Sequence, residues 1–355
     1  MLTANNTAGT VTTASTFKEF TDALSDPETD IVELGANVTL TESLTIADDD
    51  KIIDLNGYTL TSDNSLGDTY NLITVDNDTS LTVLNGAITG TSKSTAYGAM
   101  QTKAFDVTDG NLVLSGVNVT GFDSAVYIED MNADSSADEN DTAGDSTVQI
   151  INSALSAKQI ALILQGNGAV TDAVTKVIVQ NSTMNSEYGM AISGQGNDDR
   201  WGTELVLADS TISGYYTGLY QPQRNSLTTI SGCTISGYTG IAVKGGTVNI
   251  YDSTITGTGD YAQAAAAGSG FTDTGDGVYV EAVYDWSTAV TIRGEKTVIT
   301  SEKAYAVELF GQEDKGPGTV IIYDGQYTGE KSETNWNSIG TFTRYDVTET
   351  DASEE

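Results

Sequence analysis

A short acidic loop, residues 194–202, carries the densest group of side chains that could do chemistry, with the sequence GQGNDDRWG. Asp198 and Asp199 are adjacent carboxylates, Arg200 follows them, and Trp201 offers a ring that could stack on a sugar. Carboxyl groups act as general acids, bases or nucleophiles when their surroundings set their pKa values. The alternative is an ordinary solvated loop without a chemical role.

Two further carboxylates, Glu281 and Asp285, could complete a catalytic pair with this loop. Hydrolysis of a glycosidic bond needs two carboxyl groups about 5–9 Å apart, a distance that neighbouring strands could supply. Elimination on a sugar acid would instead need a base, and Arg200, Arg224 and Lys244 are the basic residues placed for it in the central repeats. A polyuronate is a poor substrate for a strongly acidic chain, because like charges repel.

A second acidic segment, residues 130–141, has the ligand spacing of a calcium loop. Its oxygen-bearing side chains fall at positions 1, 3, 5, 9 and 12 of an EF-hand-like loop; they are Asp130, Asn132, Asp134, Asp138 and Asp141. Ser135 replaces the usual glycine, an aspartate replaces the final glutamate, and no helices flank the segment. The sequence therefore predicts a Ca²⁺ site, with an acidic flexible insertion as the alternative.

The composition excludes several classes of function. Acidic residues outnumber basic ones by 50 to 15, and the formal charge of −35 disfavours nucleic acid and anionic membranes as partners. The absence of histidine excludes Ser-His-Asp catalysis and zinc sites built on histidine. Cys233, the one cysteine, follows a small residue at a turn and is predicted to be a small buried filler. No apolar run approaches the roughly 18 residues of a membrane span.

The elements that must position these side chains are short repeats. Residues 205–257 contain three near-copies of one phrase: LVLADSTISG, TTISGCTISG and VNIYDSTITG. Each alternates apolar residues, as a half-buried strand does, and then turns at Asp, Asn or Gly. A repeat of roughly 20–50 residues is typical of a solenoid, and copies from residue 31 onward predict about ten coils stacked at about 4.8 Å. The turn column is predicted to be structural; it contains Asn56, Asn85, Asn152, Asn181, Asp209, Asp252 and Asp324.

A second phrase, such as TGLYQ at residues 217–221, follows in most coils and predicts another strand. Its inward positions form an apolar ladder of Val126, Leu162, Met190, Leu219, Ile241, Val278 and Val307. Its outward positions are Tyr127, Ile163, Ala191, Tyr220, Ala242, Tyr279 and Glu308. Exposed rings beside acids and amides suit a carbohydrate. The candidate ligand-binding residues are therefore Tyr127, Tyr220, Tyr279, Trp201, Arg200, Lys244 and Gln165, although tyrosine is also an ordinary outward strand residue.

An amphipathic helix is predicted from Thr16 to about Ser25. Thr16 can act as the N-cap and Glu19 can complete a capping box, while Phe20 and Leu24 share an apolar stripe. Such a helix would cover the open apolar end of the solenoid. The predicted divisions are residues 1–30 for the lead-in and capping helix, 31–345 for the solenoid, and 346–355 for an acidic tail or linker.

These repeats resemble those of the pectin-lyase-like superfamily, because V-x-I-x-[ND]-S-T-[IV]-[ST]-G is followed by G-[IV]-x-V. The resemblance implies an all-β, right-handed parallel β-helix with an N-terminal capping helix, and a glycan groove beside the second strand. The paired aspartates faintly resemble those of polygalacturonases. The Gly-His-Gly motif of those enzymes is absent, and their Arg-Ile-Lys motif has no match, since residues 291–296 read TIRGEK. The superfamily includes lyases, hydrolases, tailspikes and adhesins, so the resemblance leaves the activity open.

Three functions follow as expectations. The first is a secreted or cell-surface module that binds carbohydrate or a host-surface ligand, like an adhesin. The second is a glycoside hydrolase or polysaccharide lyase that acts through Asp198, Asp199, Glu281 or Asp285. The third is a structural spacer without a ligand. The first residues, MLTANNTAGT, look like the start of an excised mature region with an added Met.

Overall fold

The computed structural model of the chain describes residues 9–76, 78–108, 110–129, 146–165, 175–195, 203–262, 273–336 and 339–345. These ranges form three ladders of parallel strands, and the chain visits the ladders in the same order in each coil. A short 3₁₀ helix, Asn64–Leu66, lies between two strands. No helix in these ranges is long and apolar enough to cross a membrane.

The α-helix α1, Phe17–Ser25, confirms the predicted capping box. The Glu19 N–H donates to the Thr16 hydroxyl at 3.3 Å, and the Thr16 N–H donates to a Glu19 carboxylate oxygen at 3.1 Å. Phe20 and Leu24 are buried among the core residues. The helix therefore packs its apolar stripe against the first coils, as a cap requires.

The first ladder begins at an edge strand ahead of the helix and continues to the end of the described chain. Its strands pair in parallel throughout. They are β1 (Val11–Ala14), β2 (Ile31–Leu34), β5 (Lys51–Asp54), the start of β8 (Thr79–Thr89), the start of β10 (Gly110–Glu129), β11 (Thr147–Ile151), β13 (Lys176–Gln180), β16 (Glu204–Ala208), β19 (Leu227–Ser231), β22 (Gly246–Tyr251), β25 (Thr288–Arg293), β28 (Gly318–Ile322) and β31 (Thr341–Arg344).

The second ladder follows after a sharp turn in each coil. Its strands are also parallel. They are β3 (Val38–Leu40), β6 (Thr59–Ser62), the end of β8, the middle of β10, the start of β12 (Ala154–Gln165), β14 (Thr183–Ser186), β17 (Thr211–Ser213), β20 (Thr234–Gly237), β23 (Thr254–Gly257), β26 (Val298–Ser301) and β29 (Gln326–Gly329).

The third ladder contains the strands of the second sequence phrase. They too are parallel. They are β4 (Leu44–Ile46), β7 (Tyr70–Val75), β9 (Thr102–Val107), the ends of β10 and β12, β15 (Ile192–Gln195), β18 (Thr217–Gln221), β21 (Thr239–Val243), β24 (Val278–Ala282), β27 (Tyr305–Gly311) and β30 (Ser332–Trp336).

The turn between the first and second ladders is made by one residue in the left-handed region. Asparagine and aspartate tolerate this conformation better than other side chains do, because their short polar groups bond the local backbone. In the last coil, Gly325 has the positive φ of 115°, rather than the neighbouring Asp324 of the predicted column. The other turn residues of that column have φ between 45° and 54°; they are Asn56, Asn85, Asn152, Asn181, Asp209 and Asp252.

A stack of small side chains follows these turns inside the coil, and we call it the serine ladder (Ser153, Ser182, Ser210, Cys233 and Ser253). The hydroxyls of Ser182, Ser210 and Ser253 each accept the backbone N–H of the ladder residue one coil earlier, at 3.1 Å. Cys233 takes a serine's place, is 1% exposed, and has the pKa of its thiol raised by burial. The prediction of a buried filler is therefore confirmed.

The interior of the coils is apolar, and one predicted position in it is wrong. Leu162 of β12 pairs with Ile192 of β15, and Ile192 pairs with Leu219 of β18. Met190, predicted for this column, lies two residues before that position. The segment GMAIS alternates in a way that fits either register, so hydrophobic pattern alone could not decide between them.

Candidate functional site

The outward face of the third ladder is covered rather than open. Its paired outward positions are Tyr127, Ile163, Ser193, Tyr220, Ala242, Tyr279 and Glu308, so Ser193 replaces the predicted Ala191. Tyr220 is 5% exposed and Tyr279 is 0% exposed. The exposed rings predicted at these two positions are therefore wrong. Tyr127 is half-buried, and the Lys103 ammonium lies 3.7 Å from the centre of its ring.

Two side chains that follow strands of the third ladder hydrogen-bond back to the backbone of this ladder. The Gln223 amide, just after β18, donates to the Leu164 carbonyl of β12 at 3.0 Å, two strands back along the ladder. The Trp286 indole N–H donates to the Lys244 carbonyl at 3.1 Å. A second apolar cluster, separate from the one in the coil interior, is formed by Met190, Tyr220, Ala242 and Tyr279 with Phe310 packed against it.

Lys244 and Glu281 form a buried ion pair under the same cover. Their charged atoms are 2.8 Å apart, and their side chains are 0% and 1% exposed. Burial raises the pKa of Glu281, whereas the charge of Lys244 lowers it in part. The hydroxyl of Tyr279 lies beside the same carboxylate, and burial followed by that charge raises its pKa. The structure thus brings together one predicted catalytic residue and two predicted ligand-binding residues, but encloses all three.

Asp285, the other described catalytic candidate, has a different environment. Its side chain is 82% exposed, and its carboxylate lies 3.0 Å from the Lys315 ammonium. Glu281 is enclosed while Asp285 is on the surface, so these two carboxylates do not line one open groove. Exposed ion pairs of this kind contribute little to stability or to substrate binding by themselves.

A pair of buried carboxyl groups was not predicted from the sequence: Asp276 and Glu308 are 0% and 5% exposed and interact with each other. The Tyr305 N–H donates to Asp276 Oδ1 at 3.0 Å, and the Asn335 amide donates to Glu308 Oε1 at 2.7 Å. Asp276 Oδ2 and Glu308 Oε2 are buried without a donor among the described residues. A proton shared between the two groups satisfies both atoms.

The pKa of Asp276 reports this environment. Burial first, and then the charge of Glu308, raise it to about 9. Burial also raises the pKa of Glu308. The pair therefore holds one proton at neutral pH, and it can act as an acid at a pH where ordinary carboxyl groups are ionised.

Six tyrosines lie at or near the junction between the second and third ladders in five consecutive coils; we call Tyr188, Tyr215, Tyr216, Tyr238, Tyr261 and Tyr305 the tyrosine corner. Backbone hydrogen bonds join its successive turns: the Tyr216 N–H donates to the Gly189 carbonyl, and the Tyr238 N–H to the Tyr215 carbonyl. The corner occupies five consecutive turns, or about 19 Å at the usual strand spacing.

The rings of the corner contact one another and remain accessible. Tyr215 and Tyr216 meet edge to face with centroids 4.9 Å apart, and Tyr261 and Tyr305 do so at 5.3 Å. Tyr215 is 60% exposed, and the other rings of the corner are half-buried. Burial raises the pKa of Tyr261 to about 12, with the charge of Glu308 second. The hydroxyl of Tyr261 is therefore neutral and can donate hydrogen bonds at ordinary pH.

Charges along the corner are balanced, although the chain as a whole is strongly acidic. Lys303 pairs with Asp260 at 2.8 Å, and Lys158 pairs with Glu187. The Lys331 ammonium lies 4.4 Å from the centre of the Tyr261 ring. The lysines beside the corner are therefore engaged by carboxylates or by a ring, and they add no patch of unpaired positive charge among the described residues.

A sequence signal for the corner was present. Tyrosine follows the repeated phrase directly, in TISGY at residues 211–215 and 234–238 and in TMNSEY at 183–188. The alternating strand pattern of each copy ends at the glycine or serine, so the tyrosine that follows it was not predicted as part of a site.

Several predicted sites lie outside the described residues. Among the residues the structure describes, no group of three or more Cys, Asp or Glu side chains has the arrangement of a metal site. The backbone of Gln165 ends β12, and its side chain is not described. The other calls stay predictions: Asp198, Asp199, Arg200 and Trp201 in the first loop, and Asp130, Asn132, Asp134, Asp138 and Asp141 in the calcium loop.

Comparison with known proteins decides the fold. The chain matches no protein-family model and no curated protein. Among solved structures, the periplasmic alginate epimerase AlgG superposes with a TM-score of 0.50 over 95% of this chain and 84% of that chain, at 10% identity. The chain is a right-handed parallel β-helix. At this identity the likeness shows the fold of the β-helix and not its activity.

Two other β-helix comparisons give lower scores. The catalytic domain of a GH87 alpha-1,3-glucanase, in complex with tetrasaccharides, has a TM-score of 0.47 and 11% identity over 97% of this chain and 69% of that chain. The L. reuteri 53608 SRRP has a TM-score of 0.39 and 13% identity over 94% of this chain and 99% of that chain. Scores this low support no conclusion about this β-helix.

Proposed function

We propose that this β-helix binds a carbohydrate chain along the tyrosine corner, as a module of a secreted or cell-surface protein. The observation that supports the proposal is the recurrence of tyrosine at or near the junction of the second and third ladders in five consecutive coils. Sugar rings have apolar faces that pack on aromatic rings, and their hydroxyl groups need hydrogen-bond partners at the edges. Phenol rings distributed over five coils, whose strands stack at about 4.8 Å, offer both along the length of the β-helix.

The electrostatics favour a neutral glycan. The formal charge of −35 disfavours the approach of a polyanion. The lysines near the corner are matched by carboxylates at Asp260 and Glu187, so they do not create a basic patch. The proposed ligand is therefore a neutral polysaccharide or the neutral part of a cell-surface glycan.

Replacing Tyr215 by alanine is expected to weaken glycan binding at least tenfold, about 1.4 kcal/mol. Tyr215 is the most exposed ring of the corner and packs edge to face on Tyr216. A glycan array, followed by calorimetry on its best neutral hit, measures the effect.

The matched control for this test is Tyr58→Ala. Tyr58 is 36% exposed and lies at the opposite turn, between the first and second ladders. It should bind as wild type does. Equal affinities for the two variants would exclude the tyrosine corner as the binding surface, and an array without hits would favour a structural spacer.

A second candidate function, glycoside hydrolysis, is favoured by the Asp276–Glu308 pair. Tyr261 and Tyr305 of the corner lie beside these carboxyl groups, and their pKa values respond to Glu308. A protonated carboxyl group can serve as a general acid. Glycosidases nevertheless hold their two carboxyl groups about 5–9 Å apart, whereas this pair is in contact and nearly enclosed.

The hydrolase proposal predicts release of reducing ends from a bound polysaccharide. Glu308→Gln is expected to abolish that release, because the amide cannot exchange the shared proton, while Tyr58→Ala leaves it unchanged. A reducing-sugar assay after prolonged incubation checks this. Absence of products from wild type would leave glycan binding as the only proposal. Products from both wild type and Glu308→Gln would exclude the Asp276–Glu308 pair and favour Asp198 and Asp199 instead.

A further inference from the structure

A cavity of about 340 Å³ lies under the loop of residues 91–101, between β8 and β9. We propose that this cavity binds the terminal sugar residue of a glycan, so that the protein recognises a chain end. The inference rests on the proposed function and adds a specificity to it.

The cavity is preformed, because buried polar side chains hold its walls. The Asp123 carboxylate is 1% exposed and accepts from the Ser92 hydroxyl at 2.6 Å and from the Gln101 and Thr102 N–H groups at 3.0 Å. A ligand that enters a preformed site avoids much of the cost of ordering a loop.

Gln159 fixes the other side of the same loop. Its side chain is 1% exposed, its amide oxygen accepts the Gly98 N–H at 2.9 Å, and its amide nitrogen donates to the Ala96 carbonyl at 2.6 Å. Both ends of the loop are thus tied to the coils beneath it. These hydrogen bonds make the cavity a fixed part of the folded structure.

The lining matches the chemistry of one sugar residue. It includes the hydroxyls of Thr91, Ser94 and Thr95 and the side chain of Gln101. Hydroxyls both donate and accept, and a carboxamide does both through different atoms, which is what the hydroxyls of a sugar require. Pockets for small molecules usually begin at about 300 Å³, so this cavity suits a single residue rather than a chain.

The cavity continues the line of the tyrosine corner. Asp123 and Gln159 lie at the turn between the second and third ladders, in the two coils that precede the coil of Tyr188. Tyr97, on the cavity loop, is 42% exposed, and its ring meets the Tyr216 ring edge to face at 5.7 Å. A glycan that lies along the corner would therefore reach the cavity with one end.

The test uses the whole chain and five free monosaccharides: glucose, galactose, mannose, N-acetylglucosamine and N-acetylgalactosamine. Saturation-transfer NMR and titration measure binding to wild type, Ala99→Trp, Ala99→Ser and Tyr58→Ala. Ala99 lines the cavity and is exposed, so an indole there fills the space without displacing a core residue. Circular dichroism confirms that each variant melts as wild type does.

We expect at least one monosaccharide to bind wild type, Ala99→Trp to weaken that binding at least tenfold, and Ala99→Ser and Tyr58→Ala to stay within twofold. No binding of any of the five, or equal binding by Ala99→Trp, would overturn the inference. Failure of the proposed function is a separate result: Tyr215→Ala would then bind the array glycan as tightly as wild type does. The two outcomes use different ligands and different variants, so each can fail alone.

Discussion

Replacing Lys244 by alanine is expected to lower the free energy of unfolding by about 3–5 kcal/mol, the usual cost of leaving a buried charge unpaired. Glu281 would lose the ammonium 2.8 Å away while remaining 1% exposed. Its carboxylate would have to take up a proton or stay charged in a medium that solvates it poorly. Urea denaturation followed by circular dichroism measures the change.

The control for this prediction is Lys315→Ala, which breaks an ion pair of similar length at the surface. Its partner Asp285 is 82% exposed, so water takes over the lost contact and the cost should stay within about 1 kcal/mol. The double change Lys244→Met with Glu281→Gln removes both charges and should recover most of the loss. Equal losses in the free energy of unfolding for Lys244→Ala and Lys315→Ala would contradict the burial of the Lys244–Glu281 ion pair.

The second large effect is expected from Asp276→Asn, which should stabilise the protein increasingly as the pH rises. Asp276 has a folded pKa of about 9, against about 4 in an unfolded chain. Between these values the folded protein binds a proton that the unfolded chain has released. The stability of wild type is therefore complete below about pH 4 and falls as the pH approaches 9, by up to about 1.4 kcal/mol per unit.

Asparagine at this position carries no titrating group, and its amide can donate to Glu308. The gap in stability between Asp276→Asn and wild type should therefore be small at pH 4 and widen toward pH 9. Thermal melts in a series of buffers measure the gap. The groups around Asp276 are its partner Glu308 together with Tyr261, Tyr305, Tyr279, Asn335 and Lys331. All of them are retained in the variant.

Asp285→Asn provides the matched baseline for that experiment. Its carboxyl group is exposed, so its gap to wild type should hardly change with pH. A gap for Asp276→Asn that is equally flat would mean that Asp276 is ionised in the folded protein at neutral pH. The shared proton, and with it the hydrolase proposal, would then have no basis.

The features that sequence predicted well are those set by near neighbours. The capping box depends on Thr16 and Glu19, three residues apart, and the left-handed turns depend on the residue that occupies them, such as Asn181 or Asp209. The repeat itself fixes which residues stack, since each coil meets the next with the same pattern. The solenoid and its capping helix therefore followed from the sequence.

The features that it missed depend on packing between coils. Outward alternation places Tyr220 and Tyr279 correctly on the outer face, but no local pattern shows that both rings are buried there. The meeting of Asp276 with Glu308 depends on the same packing. The burial of these rings and the pairing of the two carboxyl groups therefore became apparent only in the structure.

Because the serine ladder repeats from coil to coil, the β-helix can be lengthened or shortened by one coil at a time. Each coil joins its neighbours through equivalent hydrogen bonds, such as those of Ser182 and Ser210. A deletion or duplication of one coil, for example residues 209–231, would leave new neighbours that already fit each other. Such a change would shorten or extend the tyrosine corner by one turn without a new core. If the tyrosine corner binds a glycan as proposed, its affinity would then change with the number of coils, while the individual rings stay the same.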